Sequence, residues 1–274
     1  MTDPTQHTKN VVITGSTKGV GHALAREFRR RGHSVVITGR STTAVEAAIA
    51  TLGGEPGSGQ VLGHALDVID DQACVGLWEY AVGALGRVDL WINNAGVAHT
   101  TAPIVGTAAD DVRAMVSTNM LGTIFGSQAA ARGMLTQGGG QIFNVLGGGS
   151  DGRIRPNMGV YGATKRGLDM FTAALVKELA GTGVRVGQVR PGILITDGWQ
   201  REAALAPEQV SRQRRILNIL SDHPEDVAPT LVERMLASTR HGDAIAWLTT
   251  GRMMRRFLTP GYAARHDVLG RYGL

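Results

Sequence analysis

Cysteine is almost absent from this 274-residue chain: Cys74 is the single one, so an intramolecular disulfide and a cysteine-rich metal site are both excluded. Aromatic residues make up only 5% of the chain and proline contributes nine positions, a balance ill suited to a stacked all-β core. Nowhere do 18 apolar residues run together, so no transmembrane helix is expected, and the polar stretch Met1–Asn10 lacks the apolar centre of a secretory signal. These absences point to a cytoplasmic protein. The formal charge of +5 and pI near 9.8 come from arginines and lysines dispersed along the chain without one long basic run, and no zinc-finger or RNA-binding motif accompanies them, so nucleic acid is not an expected partner. What the chain does have is glycine, 38 residues of it, and a hydrophobic fraction of 43%, enough for one sizeable core.

Short β-branched runs alternate with longer segments of helical period, the pattern of βαβ units around a parallel sheet. Strands are expected at Val11–Thr14, Val35–Thr38, Val61–Leu66, Leu90–Asn93, Ile142–Leu146, Val184–Val189 and Ala244–Leu248. Between the first two, Val20, Leu24 and Phe28 recur every four residues opposite Arg26, Glu27, Arg29 and Arg30, an amphipathic helix capped at Gly32. Further helices are expected over Thr43–Leu52, Asp70–Leu85, Ala108–Leu135, Tyr161–Ala180 and Pro224–Ser238, while Gly53–Gln60 reads as a surface loop. The fold class is therefore α/β: one domain over residues 1–274, a Rossmann-like doubly wound parallel sheet with helices on both faces.

Two blocks carry the chemistry. Thr14-Gly15-Ser16-Thr17-Lys18-Gly19-Val20-Gly21 follows the first strand and opens the first helix, where backbone N–H groups and the positive helix end can face a pyrophosphate. Three glycines alone would also describe an ordinary tight turn; the strand before and helix after favour phosphate binding. At the end of the second strand, where an acid would hold a ribose 2′-hydroxyl, stand Arg40 and Ser41. Arg40 is either a plain loop cation or, with Lys18, a partner for a 2′-phosphate, which favours NADP(H) over NAD(H). Downstream, Tyr161-Gly162-Ala163-Thr164-Lys165 sets a phenol and an ammonium at i and i+4 on one helix face. A phenol titrates near 10 and exchanges protons poorly at neutral pH; the Lys165 cation is expected to favour its phenolate and so make Tyr161 a proton donor or acceptor beside a nicotinamide.

The order of these blocks, together with Asn93-Asn94-Ala95-Gly96 after the fourth strand, resembles the short-chain dehydrogenase/reductase family. That resemblance implies further roles. Asp67 and Val68 fall where the family contacts adenine; Asn94, Ala95 and Gly96 line the cofactor cleft; Asn119 matches the asparagine that holds a proton-relay water; Pro191, Gly192, Ile193 and Thr196 match the block around the nicotinamide carboxamide. With Gly149-Ser150-Asp151-Gly152-Arg153, the blocks are most similar to the chlorophyll b reductase subgroup, which reduces a ring formyl group with NADPH. A homodimer or homotetramer is also implied, with the helices at Ala108–Leu135 and Tyr161–Ala180 as interface surfaces.

One departure stands out. The family's substrate-binding serine falls on Gly148, and shifting the alignment either way gives Gly147 or Gly149; Ser150 is the nearest hydroxyl and is a catalytic candidate, the alternative being backbone N–H groups or water. Residues Leu194–His223 should form a substrate lid, and Trp247–Leu274 a C-terminal extension whose Met253–Leu258 run either packs on the domain or touches a membrane surface. The expectation is an NADPH-dependent carbonyl reductase acting on a small-molecule carbonyl or alcohol substrate, with no metal. The alternatives are an NADP(H)-sensing binding protein and an alcohol dehydrogenase working in the oxidative direction.

Overall fold

The computed structural model describes residues 8–272, so most of the polar stretch Met1–Asn10 and the last two residues of the C-terminal extension lie outside the described residues. The chain runs β1 (Asn10–Ile13), α1 (Gly19–Arg30), β2 (Ser34–Gly39), α2 (Thr42–Gly54), β3 (Val61–Ala65), α3 (Asp71–Leu85), β4 (Leu90–Asn93), α4 (Ala109–Met115), α5 (Gly122–Gln137), β5 (Gly140–Val145), α6 (Gly159–Glu178) and β6 (Val184–Arg190). Then come β7 (Ile193–Leu194), α7 (Asp197–Leu205), α8 (Pro207–Leu220), β8 (Ser221–Asp222), α9 (Pro224–Ala237), β9 (Asp243–Ala246), α10 (Thr250–Leu258) and α11 (Tyr262–Arg265). Seven of the strands form one parallel sheet in the order β3-β2-β1-β4-β5-β6-β9, as the alternation of periods predicts.

Because a strand points successive side chains to opposite faces, each central strand feeds two cores. Val11, Ile13, Ile37, Ile92 and Phe143 pack beneath α1, α2 and α9, whereas Val12, Val36, Trp91 and Ile142 pack against α3, α5 and the end of α6. The sheet is covered on both sides, which is why its strands read as nearly continuous apolar runs. The strand order reverses between β1 and β4, and ligands of such sheets bind in the crevice at the carboxyl ends of those strands.

The expected long helix at Ala108–Leu135 is interrupted. A π turn at Val116–Leu121 joins α4 to α5, and Asn119 lies inside it. Such single wide turns break the regular hydrogen-bond ladder, so they occur where a side chain must be re-aimed. The strand expected at Ala244–Leu248 ends early: β9 stops at Ala246, with Trp247 N–H still donating to the Arg190 carbonyl while its indole donates to Asp222. The lid region is helical, α7 and α8, and its two ends pair with each other as a short β7–β8 ladder. The C-terminal extension packs back onto it. Arg256 of α10 is buried in an ion pair with Asp222, and Val268 and Leu269 join Ile195, Trp199 and Leu217 in a small third core. Among the described residues no helix is long and apolar enough to cross a membrane.

Candidate active site

The glycine turn and the Asn-Asn-Ala-Gly block are fastened together at the switch point. The Thr14 hydroxyl accepts from the backbone N–H of Asn94 at 3.0 Å and of Ala95 at 3.1 Å, while the Asn94 amide donates to the carbonyls of Thr14 and Gly15. This contact forces the glycines. A Cβ on Gly15 would lie 2.7 Å from Ala95 Cα, and one on Gly21 would lie 2.5 Å from Asn94 Nδ2; Gly15 also holds a φ of +62°. Ser16 closes the turn from the other side, donating to the Ile13 carbonyl and accepting from the Thr38 N–H.

The result is a cradle stripped of side chains. Lys18 stands at the N-cap of α1 and offers no side-chain acceptor, which leaves the first N–H groups of that helix facing the cleft. Thr17 packs on Gly39, so its neighbour Lys18 and the neighbouring Arg40, both exposed, share one rim. Ser41 is spent on capping α2 through Ala44 N–H. Val20 lies half-buried in the first turn of α1 against the upper core. Farther along, Asp67 bends the chain by accepting from Ile69 N–H, Val68 is buried against Gly122, and Pro191 is buried beside Gly192, whose φ is +87°. Ile193 enters β7, and Thr196 caps α7 while its methyl group lies 3.4 Å from where a Cβ of Gly19 would be. The cleft therefore closes between the glycine turn and the Pro191–Thr196 block. Its backbone donors, its missing Cβ atoms and its two exposed cations, Lys18 and Arg40, fit a dinucleotide carrying a 2′-phosphate.

At the next crevice along the sheet stand Tyr161 and Lys165, both on the first turns of α6. Lys165 is 5% exposed and its ammonium donates to the Val145 carbonyl at 3.2 Å. Asn119 reaches the same place from the π turn. Its Oδ1 accepts from Val97 N–H at 2.8 Å, and its Nδ2 donates to the Val97 carbonyl and to the Thr164 hydroxyl, which in turn donates to the Tyr161 carbonyl. Gly96 makes this convergence fit: a Cβ there would meet Asn119 Oδ1 at 3.1 Å and Lys165 Nζ at 3.6 Å. Tyr161 and Lys165, paired by their i, i+4 spacing, are thus brought together with Asn119, which only the family resemblance had singled out.

One electrostatic expectation is corrected. Lys165 lies over the Tyr161 ring, 5.8 Å from its centre, and does not make the phenol more acidic. Part of the ring reaches solvent, but the hydroxyl end is enclosed, and this loss of hydration pushes the phenol up to about 12. The same burial lowers the Lys165 ammonium to about 8. Desolvation wins over the cation because both charged forms are removed from water. At neutral pH the pair is a protonated phenol beside a mostly protonated amine.

The glycine run resolves the question of the serine's position. Gly147 is the residue that faces Tyr161: a Cβ there would overlap the phenol oxygen outright, so the tyrosine hydroxyl fills the space a side chain would take. Gly148 points instead at Met158 and Arg155, and Gly149 takes a φ of +90° against Gly162. Among the described residues Ser150 makes no hydrogen bond to Tyr161. It is 1% exposed, and its hydroxyl accepts from Arg190 Nε at 3.2 Å. Sequence reasoning passed over Thr14 and Thr164, whose hydroxyls clasp the two halves of the site, because a threonine at a strand end or in a helix carries no distinctive signal. It also passed over a buried floor in which Asn93 donates to Ser127 and Asn144, and Asn144 to Thr172; asparagines inside central strands were the available clue.

Comparison with known proteins follows the same lines. The profile of the family described as short chain dehydrogenase matches residues 9–205. A probable chloroplastic chlorophyll(ide) b reductase of Arabidopsis thaliana is 36% identical over 267 residues, covering 92% of this chain and 53% of the relative, so the chain spans about half that protein's length. A second chloroplastic chlorophyll(ide) b reductase of the same plant is 38% identical over 238 residues, 85% of this chain and 67% of the relative. Among solved structures, ElxO with NADP bound aligns at a TM-score of 0.76 and 28% identity, covering 88% of this chain and 97% of that one.

Proposed function

Since the chain belongs to the short-chain dehydrogenase/reductase family, we propose that it is an NADPH-dependent oxidoreductase that reduces an aldehyde or ketone on a large apolar substrate to the alcohol. The observation that carries this reading is the convergence of the Tyr161 phenol, the Lys165 ammonium and Asn119 beside a cradle rimmed by Lys18 and Arg40. The glycine turn, with Lys18 and Arg40 on its rim, would hold NADPH, which would supply hydride for the carbonyl carbon. Tyr161 supplies the proton: a phenol held up near 12 is fully protonated at neutral pH, the state needed to donate to the carbonyl oxygen. Lys165, largely protonated below about 8, keeps a positive charge beside the phenol ring as negative charge develops on the oxygen. Asn119 anchors Val97 and Thr164 and thereby the start of α6.

The likeness to chlorophyll(ide) b reductases supports a formyl group on a large flat ring as the substrate class. Leu121, Leu135 and Met170, exposed on the π turn, α5 and α6, suit burial against a second copy in a homodimer or homotetramer. The test is oxidation of NADPH in the presence of aromatic aldehydes, ketones and porphyrin aldehydes, compared with Tyr161→Phe. The expected result is substrate-dependent turnover, falling by about a thousandfold in the phenylalanine variant while NADPH still binds. NADPH binding without turnover across the panel would make the protein a cofactor-sensing binding protein instead.

A further inference from the structure

We propose that Ser150, Arg190 and Asp169 are positioning residues, a clamp that fixes the glycine loop so that Gly147 stays as a floor against the Tyr161 hydroxyl. The inference rests on the reductase reading for its kinetic consequence and on geometry for its existence. Three consecutive glycines, Gly147 to Gly149, join β5 to the rest of the loop, and such a run loses more conformational freedom on ordering than any other sequence. Its own contribution to order is two consecutive turns: Ser150 N–H donates to the Gly147 carbonyl, with Gly149 at the positive φ that the third position of a type II turn demands, and Gly152 N–H donates to the Gly149 carbonyl. Something outside the loop must hold it.

That anchor is a single carboxylate. Asp169 of α6 accepts from Arg190 Nη2 at 2.7 Å through one oxygen and from Arg166 Nη1 at 2.8 Å through the other. Each arginine then reaches Ser150: Arg190 Nε donates to its hydroxyl at 3.2 Å, and Arg166 Nη1 to its carbonyl at 3.1 Å. Ser150 is thus gripped by side chain and backbone at once. Arg190 is the last residue of β6 and directly precedes Pro191, so the same guanidinium ties the substrate loop to the block beside the cofactor cleft. A hydroxyl committed as acceptor to a guanidinium in a fully buried position is held in place to orient the loop.

The experiment compares wild type with Ser150→Ala, Asp169→Asn and the double variant by amide hydrogen exchange over residues 147–152 and by NADPH-driven reduction of an aromatic aldehyde across pH. Thermal unfolding identifies the variants that fold; where Asp169→Asn fails, Arg190→Lys replaces it, keeping the charge and losing the fork. The expected result is loop exchange about tenfold faster in each single variant, a fall of about tenfold in kcat with KM for NADPH held, and a double variant no worse than Asp169→Asn alone. Unchanged loop protection in both single variants would overturn the clamp. So would a loss of about a thousandfold in kcat from Ser150→Ala with protection intact, which would make Ser150 a direct catalytic group. If wild type turns over no substrate, the reductase reading fails, and hydrogen exchange still decides the clamp.

Discussion

The two halves of the site are built by different means. On the cofactor side, the groove is shaped by backbone: glycines whose missing Cβ atoms let Thr14, Gly15, Asn94 and Ala95 touch, with the Thr14 hydroxyl and the Asn94 amide fastening the two segments. On the substrate side, the loop, the lid and the C-terminal extension are held by charged side chains, Asp169 with two arginines and Asp222 with Arg256, over a third core much smaller than the two beneath the sheet. A backbone-built groove suits a cofactor that never changes. A region fastened at a few charged points can be reshaped by few substitutions, which suits a surface that must match one substrate among many.

The hardest test of that contrast is Asp222→Ala. Asp222 accepts from Arg256 and from the Trp247 indole, both at 2.7 Å, and it lies beside His266; its loss leaves a guanidinium buried without a counter-charge. The expected cost is about 4 kcal/mol of stability in urea unfolding. Adding Arg256→Met should recover at least half. NADPH affinity of the folded protein should stay within about twofold, since the cluster meets the cleft at the Pro191–Thr196 block, through the Asp222 carbonyl that accepts from Ile195 N–H and Trp247 beside Gly192, and among the described residues no hydrogen bond joins its side chains to the glycine turn; a large loss of cofactor binding would erase the distinction between the halves.

Next in size is Lys165→Met, which should stabilise the protein while removing activity. The folded-state value of about 8 lies below the 10.5 of the free side chain, so the buried ammonium destabilises the fold by about 3 kcal/mol at neutral pH. That penalty is present in full below pH 8 and relieved as the pH rises toward 10.5. Leaving the Val145 carbonyl without its donor takes back about 1 kcal/mol. Thermal unfolding should show a net gain of about 2 kcal/mol at pH 7 that shrinks as the pH rises and becomes a net loss of about 1 kcal/mol above pH 10.5. Tyr161 acts in the opposite sense in both proteins, its raised value withdrawing stability above pH 10. On the cofactor side, Arg40→Ala should weaken NADPH binding by about tenfold and leave NADH unchanged, because an exposed charge-assisted contact to one phosphate is worth little more; equal losses for both cofactors would remove the 2′-phosphate from the reading.

The contrast also explains what could be read in advance. Glycine spacing, the Tyr-x-x-x-Lys pair and the strand periods are each local in the chain, so local sequence carries the sheet to within a residue or two and sets the glycine turn and the Tyr161–Lys165 pair in place. The clamp joins Ser150, Asp169 and Arg190, and the lid latch joins Asp222, Trp247 and Arg256. Those partners are far apart in sequence and of common residue types, and only tertiary packing brings them together. The direction of the tyrosine's acidity was hidden for the same reason: the i, i+4 spacing shows that a cation is near, and enclosure, which sequence does not display, decides the sign.

The smallest effect separates adjacent glycines. If Gly147 is a vacancy left by a lost serine, Gly147→Ser should restore a hydroxyl and raise turnover. The structure predicts the reverse. The Tyr161 oxygen already occupies that space, so a Cβ must displace either the phenol or the loop that Ser150 anchors, and kcat should fall by about tenfold. Gly148→Ser meets only the far ends of Met158 and Arg155, at 2.8 and 3.0 Å, and both can swing aside, so kcat should change by less than about twofold. Steady-state kinetics on the two variants with one aldehyde therefore reads the shape of the substrate side at single-residue resolution. A gain from Gly147→Ser would mean that the loop yields, and that the charged anchors hold it less firmly than the backbone holds the cradle.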